Sequence, residues 1–100
     1  MKITFLREAE LEFLDAISYY EGQQPKLGRR FKDEVDRSLL WVEARPEVCR
    51  LRPGGYRRMN LRVFPYYLPY TIRESTLWVL AVAHSRRKPE YWIERTKDVG

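Results

Sequence analysis

The sequence contains 100 residues, of which 44% are hydrophobic and 33% charged, as expected of one folded domain with a single core. It has no apolar run of about 20 residues, the length that a membrane-spanning helix needs, and no apolar secretory signal near its first residue. We therefore expect a single domain over residues 1–100, cytoplasmic and without membrane attachment. The one cysteine, Cys49, has no disulfide partner in the chain, and one histidine leaves no cluster of metal ligands, so we expect no metal or other cofactor.

Positive charge is concentrated in the second half of the chain. Residues 45–88 carry ten Lys/Arg and two Asp/Glu, whereas residues 1–44 carry seven Lys/Arg and nine Asp/Glu. Because like charges repel unless an anion approaches them, this half indicates an anionic partner, either a nucleic acid or an acidic protein segment. A basic surface that serves only solubility is the alternative.

The first half of the sequence predicts a strand followed by two helices. Lys2–Leu6 alternates and contains β-branched residues, which is typical of a strand. A helix is predicted over Glu8–Gly22, where apolar residues recur at helical spacing and glutamates occupy the first turns. The short link Gln23–Pro25 makes the next helix, which ends near Ala44, its antiparallel partner. Apolar residues form a stripe along this second helix: Leu27, Phe31, Val35, Leu39 and Val42.

The second half predicts four strands and a final helical turn or two. Pro69 predicts an edge position or a bulge in the third of these strands. The fourth is apolar almost throughout, which is typical of a central strand covered on both faces. The fold class is therefore α+β, with an antiparallel helical hairpin on one face of a mainly antiparallel sheet in the order β-α-α-β-β-β-β. In chain order, the predicted segments are Val48–Arg52, Arg58–Val63, Tyr67–Arg73, Thr76–Ala83 and, for the helical turn, Pro89–Arg95.

Four arginines are predicted to share one face of a hairpin. With a period of two, Arg50 and Arg52 lie on one side of their strand, and Arg58 and Arg62 lie on one side of the next. Guanidinium groups bind carboxylate or phosphate in bidentate fashion, so this face predicts a binding surface for an anionic partner. A solvated face without a partner is the alternative, and repulsion among the four arginines makes it less favourable.

His84 and the basic residues after it stand where the most apolar strand ends. A neutral histidine beside Arg86 and Arg87 is a candidate general base. A hydrogen-bonded histidine that closes the strand is the alternative. Among the aromatic residues nearby, we expect Tyr70 and Trp92 to pack in the core, and for Tyr91 both packing and stacking on a nucleobase stay open.

Several short motifs follow one another along the chain: Tyr19-Tyr20, Leu27-Gly28-Arg29-Arg30-Phe31, Arg45-Pro46, Tyr56-Arg57-Arg58, Phe64-Pro65-Tyr66, Tyr70, Ala81-Val82-Ala83-His84 and Arg86–Trp92. In this order and spacing they resemble the RelE/ParE superfamily of toxins from type II toxin–antitoxin modules. The resemblance extends from Ile3 to Arg95 and implies a small α+β toxin that inhibits growth and serves plasmid stabilisation. It also implies a cognate antitoxin, whose acidic, partly disordered segment folds across the toxin in a heterotetramer or higher complex.

The superfamily has two branches with different targets. ParE-like toxins inhibit DNA gyrase, whereas RelE-like toxins cut messenger RNA in the ribosome without a metal. In a RelE-like enzyme, basic residues stabilise the phosphate transition state and an acid/base residue transfers protons. The resemblance implies Arg58 or Arg62 for the first role, and His84, Arg86 or Tyr91 for the second.

The chain departs from the lysine-rich pattern of some RelE-like enzymes, because every basic residue between Arg45 and Arg87 is an arginine. Arginine is effectively never a base. We therefore favour a ParE-like toxin that inhibits gyrase without being an enzyme. A RelE-like endoribonuclease and a non-toxic nucleic-acid-binding module are the alternatives. The residues expected to bind the target or the antitoxin are Arg50, Arg52, Arg58, Arg62, Arg86, Arg87 and Tyr91.

Overall fold

A helical hairpin covers one face of a five-stranded sheet, so the α+β fold class is confirmed. The computed structural model describes all 100 residues. None of its helices has both the length and the apolar character needed to cross a membrane. The helices are α1 (Arg7–Gln23), α2 (Leu27–Ala44) and the short 3-10 helix η1 (Ile93–Asp98). The strands are β1 (Lys2–Phe5), β2 (Arg57–Asn60), β3 (Tyr66–Arg73), β4 (Thr76–Val79) and β5 (Ala83–His84).

The sheet is mainly antiparallel, as predicted. Its strands lie in the order β1-β4-β3-β2, with β1 parallel to β4 and the other pairs antiparallel. β5 continues the direction of β4 and also pairs with β3. β4 is therefore an interior strand, and its residues Leu77 and Val79 are completely buried. This confirms the position that its apolar sequence predicts.

The apolar stripe of α2 packs into the core, as its spacing predicts. Gly28 allows the close approach of the two helices, because a Cβ atom there would lie 2.5 Å from the carbonyl oxygen of Ile17 on α1. Glu21, near the end of α1, accepts hydrogen bonds from the backbone N–H groups of Lys26 and Gly28, and so caps the start of α2. The fully or nearly fully buried residues of the stripe are Phe31, Val35, Leu39 and Val42.

A bulge separates β4 from β5, where the sequence predicts one continuous strand from Thr76 to Ala83. Val79 pairs with Tyr70 and Ala83 pairs with Tyr67. The two β3 residues are three positions apart, whereas their partners are four positions apart, so the opposite chain contains one extra residue. Pro69 lies at this point of β3 and accepts a hydrogen bond of 2.8 Å from the Leu80 N–H. It has no N–H of its own to donate, so the ladder is interrupted there. The bulge predicted from Pro69 is confirmed, although β3 is not an edge strand.

The strand predicted over Val48–Arg52 is wrong. Only an isolated bridge between Arg52 and Tyr56 forms in this region. Residues 46–49 form a turn instead, in which the Val48 N–H donates to the Arg45 carbonyl oxygen at 3.1 Å, and the Arg57 guanidinium donates to the Cys49 carbonyl oxygen at 2.6 Å. An acceptor that a strand ladder would use is therefore occupied by a side chain. The next predicted strand is also too long, since β2 ends at Asn60 rather than Val63.

The second face of the sheet carries an aromatic cover, where the sequence predicts the four arginines. Trp92 is 1% exposed, and its indole N–H donates to the hydroxyl of Tyr67 on β3 at 2.9 Å. Tyr56 packs edge-on against the indole, with ring centres 4.6 Å apart, and its hydroxyl donates to Glu90. The segment before η1 thus closes a second, smaller part of the core. The expected packing of Tyr70 and Trp92 is confirmed, since both are buried.

Candidate functional site

Glu12 on α1 joins four parts of the molecule at one partly buried carboxylate. It accepts the backbone N–H of Val82, in the bulge between β4 and β5, at 3.1 Å. It also accepts the hydroxyl of Tyr91 at 2.8 Å and both terminal nitrogens of Arg95 at 3.0 Å. Arg87 approaches the same carboxylate at 3.7 Å. The side chain of Glu12 is only 17% exposed, so these donors replace the water that a free carboxylate would bind.

Two guanidinium groups approach the ring of Tyr91. The guanidinium carbon of Arg87 is 3.7 Å from the centre of the ring, and that of Arg95 is 5.3 Å from it. Burial, together with the hydrogen bond to Glu12, raises the pKa of the Tyr91 phenol well above its usual value of 10.0. Tyr91 is therefore a neutral hydrogen-bond donor whose ring contacts guanidinium groups of its own chain, an arrangement typical of packing.

His84 closes the strand through a hydrogen bond to its own chain. Its Nδ1 atom accepts the backbone N–H of Arg86 at 3.0 Å, and its ring packs edge-on against Tyr66. A neutral imidazole has one lone pair available for a proton, and here that lone pair faces an N–H donor. His84 also borders a cleft of about 280 Å³ that Asp15 and Tyr19 line. The arrangement matches the structural interpretation of this residue better than a general base.

The four arginines of the predicted face do not all share one surface, because Arg62 lies apart from Arg58. Arg58 stacks on Tyr67, with its guanidinium carbon 3.8 Å from the ring centre, and its Nε donates to Asn60. Arg62 follows β2 in the loop to β3 and lines a different surface, beside α2. Arg50 is exposed, and Arg52 is half-buried at its bridge with Tyr56. The expectation of a single arginine face is therefore wrong, because it required a strand over Val48–Arg52 and a longer β2.

A groove of about 800 Å³ runs between α2 and the loop after β2. Glu34 shapes it, since this carboxylate is 8% exposed and accepts the backbone N–H groups of Arg62 and Val63. Exposed apolar side chains line the groove, with Trp41 41% exposed and Val63 70% exposed. Two cations, Arg37 and Arg62, also line it, so the groove combines exposed apolar side chains with positive charge. Its other lining residues are Ser38 and Met59.

Glu12 and Glu34 do not appear among the residues selected from the sequence, although a signal for both exists. Glu12 lies three residues after Ala9 and four before Ala16, which places it on the buried face of α1. The role of Glu12 therefore goes beyond the favourable effect of an acidic residue at the start of a helix. Glu34 lies three residues after Phe31 on the stripe of α2. A carboxylate at a core position of an amphipathic helix indicates a buried partner.

Comparison with known proteins agrees with this geometry. Residues 3–89 match the family described as the ParE toxin of the type II toxin–antitoxin system parDE. The chain belongs to the ParE toxin family. A solved structure from the chromosomal ParDE toxin–antitoxin system of P. aeruginosa superimposes with a TM-score of 0.73 and covers 84% of this chain and 95% of that one. Sequence identity is 15%, so this likeness shows the fold. Among curated proteins, none matches the sequence.

This ParE family member is therefore a type II toxin of the ParE kind. The family match ends at Pro89, so Tyr91, Trp92 and Arg95 lie beyond the matched residues. These three residues complete the Glu12 contacts and the aromatic cover in this ParE toxin. Arg86 and Arg87, within the match, are exposed beside them.

Proposed function

We propose that this ParE toxin inhibits growth by binding DNA gyrase, without catalysis, and that an acidic antitoxin neutralises it. The observation that carries the proposal is the hydrogen bond from the Arg86 N–H to Nδ1 of His84. This bond occupies the lone pair with which His84 would accept a proton in a ribonuclease. The family match supports the same branch.

Glu12, Tyr91 and the arginines near His84 are poor substitutes for a general base. The carboxylate of Glu12 is saturated by Val82, Tyr91 and Arg95. The phenol of Tyr91 donates its proton to Glu12, and its raised pKa keeps it neutral at physiological pH. Arginine holds its proton throughout the accessible pH range. The site is thus suited to binding an anionic surface and poorly suited to moving protons.

The groove beside α2 supports the second part of the proposal, the antitoxin. An amphipathic segment with acidic residues would pair with Arg37 and Arg62 and cover the apolar surface of Trp41 and Val63. Exposed apolar patches of this kind commonly mark protein–protein contacts. We propose that Arg50, Arg52 and Arg58 attract the rest of the acidic segment, and that the complex is a heterotetramer or larger.

Conditional expression in a bacterial host tests the proposed target. We expect growth arrest with induction of the DNA-damage response, and purified toxin should inhibit supercoiling by gyrase. Ribosome-bound messenger RNA should stay intact in the same cells. Cleavage of messenger RNA without any effect on supercoiling would reject the gyrase proposal and favour the endoribonuclease.

A further inference from the structure

We infer that Glu12 is a positioning residue, which holds the Arg87 guanidinium ready for an acidic segment of the target protein. The inference rests on the proposed function for the identity of that target. It concerns a residue on α1 that is itself shielded from solvent and that lies far along the chain from Arg87.

Charge at the site supports the inference. Two guanidinium groups, those of Arg87 and Arg95, share the one carboxylate of Glu12. Arg95 is 19% exposed and makes the bidentate contact, so it neutralises Glu12. Arg87 is 56% exposed and lies further away, at 3.7 Å. One positive charge is therefore left over, and it resides on the outer guanidinium.

The geometry of Arg87 is suited to recognition. One face of its guanidinium lies on the Tyr91 ring, and its nitrogens make no hydrogen bond within the chain. The position of that ring is fixed in turn by the hydrogen bond between the Tyr91 hydroxyl and Glu12. A planar donor group that is held in place loses less conformational freedom on binding a carboxylate than a free side chain does.

An acidic protein segment fits this surface better than a nucleic acid. Binding of single-stranded nucleic acid commonly uses open aromatic faces on which bases stack. Here the Arg87 guanidinium lies over the Tyr91 ring, and the Arg58 guanidinium lies over the Tyr67 ring. Tyr66 packs among other rings, including Phe31. Tyr19 is the one largely exposed ring in the cleft that Arg87 lines. The surface therefore presents mainly guanidinium donors, which suit carboxylates.

Four variants of the full chain test the inference: Glu12→Gln, Tyr91→Phe, Arg87→Lys and, as the control, Glu10→Gln. Glu10 is exposed on the same helix and forms no side-chain hydrogen bond or salt bridge. We expect Arg87→Lys, which keeps the charge and loses the stacked plane, to weaken gyrase inhibition about tenfold. Glu12→Gln should weaken it by a similar factor, Tyr91→Phe by less, and Glu10→Gln should match the wild type. Circular dichroism checks that each variant is folded.

Equal potency of Arg87→Lys and the wild type would overturn the inference, and so would unchanged potency of folded Glu12→Gln. If Glu12→Gln fails to fold, the test is the NMR relaxation of the Arg87 Nε–H group, compared between the wild type and Tyr91→Phe. That signal should report an ordered group in the wild type and a mobile one in the variant, and an unchanged signal rejects positioning.

Failure of the wild type to inhibit gyrase would reject the proposed function alone. The positioning role is then decided with two probes, a labelled oligo-glutamate peptide and an oligo-uridylate of equal charge. The inference is supported if the wild type binds the peptide more tightly than the oligo-uridylate. This preference should be lost in Arg87→Lys and in Tyr91→Phe or Glu12→Gln. Tighter binding of the oligo-uridylate overturns it in favour of a nucleic-acid surface.

Discussion

The Nδ1 atom of His84 accepts a hydrogen bond of 3.0 Å from the backbone N–H of Arg86, two residues further along the chain. The first prediction follows from this contact. His84→Gln should stay toxic, because the glutamine side-chain oxygen can accept the same N–H. The double variant Arg86→Ala/Arg87→Ala should lose potency, because both side chains are exposed and carry the charge expected to meet the target. Growth inhibition on conditional expression measures both.

The opposite pattern identifies a nuclease. Loss of a proton-transfer residue typically lowers a rate by about 10²–10⁴-fold. A His84→Gln protein that folds normally and is harmless would therefore contradict the binding mechanism. Arg62→Ala would then be expected to reduce messenger RNA cleavage through loss of transition-state charge stabilisation.

The second prediction concerns the core beneath α2. Leu39 is 4% exposed, whereas its neighbour Leu40 is 61% exposed. Leu39→Ala should lower the free energy of unfolding by about 2–5 kcal/mol, because it removes buried methyl groups and leaves a cavity. Leu40→Ala serves as the matched control and should change it by less than about 0.5 kcal/mol. Urea denaturation of both proteins provides the comparison, and similar values for the two would show that the stripe is misassigned.

Much of the fold follows from local pattern, and the comparison of α2 with Val48–Arg52 shows why some does not. The stripe of α2 predicts burial correctly, because helical spacing alone decides which side chains face the sheet. The alternation in Val48–Arg52 is equally regular, yet a strand needs a partner with free backbone groups. The guanidinium of Arg57 takes the Cys49 carbonyl instead, and single-chain periodicity contains no information about that contact.

The candidate site is likewise only partly predictable from the sequence. Exposure of Arg86 and Arg87 after an apolar strand is predictable from the sequence, whereas the grouping of Glu12 with Tyr91 and Arg95 is not. Glu12 precedes those partners by 79 and 83 residues, so only the folded chain brings them together. Its place on the buried face of α1 indicates some partner without identifying which one.

The third prediction concerns Glu34, which holds the loop after β2. Glu34→Ala should lower the free energy of unfolding by about 1–3 kcal/mol, since the Arg62 and Val63 N–H groups lose a buried charged acceptor. Hydrogen exchange of these two amides should become faster. Asp33→Ala, one residue earlier and less buried, is the control. Unchanged exchange in Glu34→Ala would mean that the carboxylate does not restrain this loop in solution.

The fourth prediction concerns the groove and the antitoxin. Arg37→Glu/Arg62→Glu should slow association with an acidic antitoxin and reduce its dependence on salt, because oppositely charged surfaces attract at long range. Stopped-flow fluorescence at several salt concentrations measures both. The matched variant Arg50→Glu/Arg52→Glu tests the surface expected from the sequence. A larger effect in this second variant would place the main contact there, outside the groove.

The fifth prediction concerns alkaline pH. Burial raises the pKa of the Tyr70 phenol, which donates to the Pro46 carbonyl, and burial with the Glu12 contact raises that of Tyr91. Because both values lie above the unfolded value of 10.0, the stabilisation is complete below pH 10 and is lost as the pH rises further. Ultraviolet titration should show these phenols ionising only with unfolding. Tyr91→Phe should remove one of the two phenols that ionise late. Free titration of all seven tyrosines near pH 10 would contradict the burial of these phenols.

The aromatic cover of the sheet has a consequence for protein synthesis. Trp92 follows every strand that it covers, so the ribosome makes all five strands before the residue that closes their second face. At translation rates of about 5–20 residues per second, the nascent chain exposes Tyr56 and Tyr67 until Trp92 has left the exit tunnel. The Glu12 carboxylate likewise lacks the hydrogen bonds from Tyr91 and Arg95 until these residues have been synthesised. A partner that binds during translation thus meets a toxin whose helical hairpin can already be folded and whose Arg87 is not yet held in place.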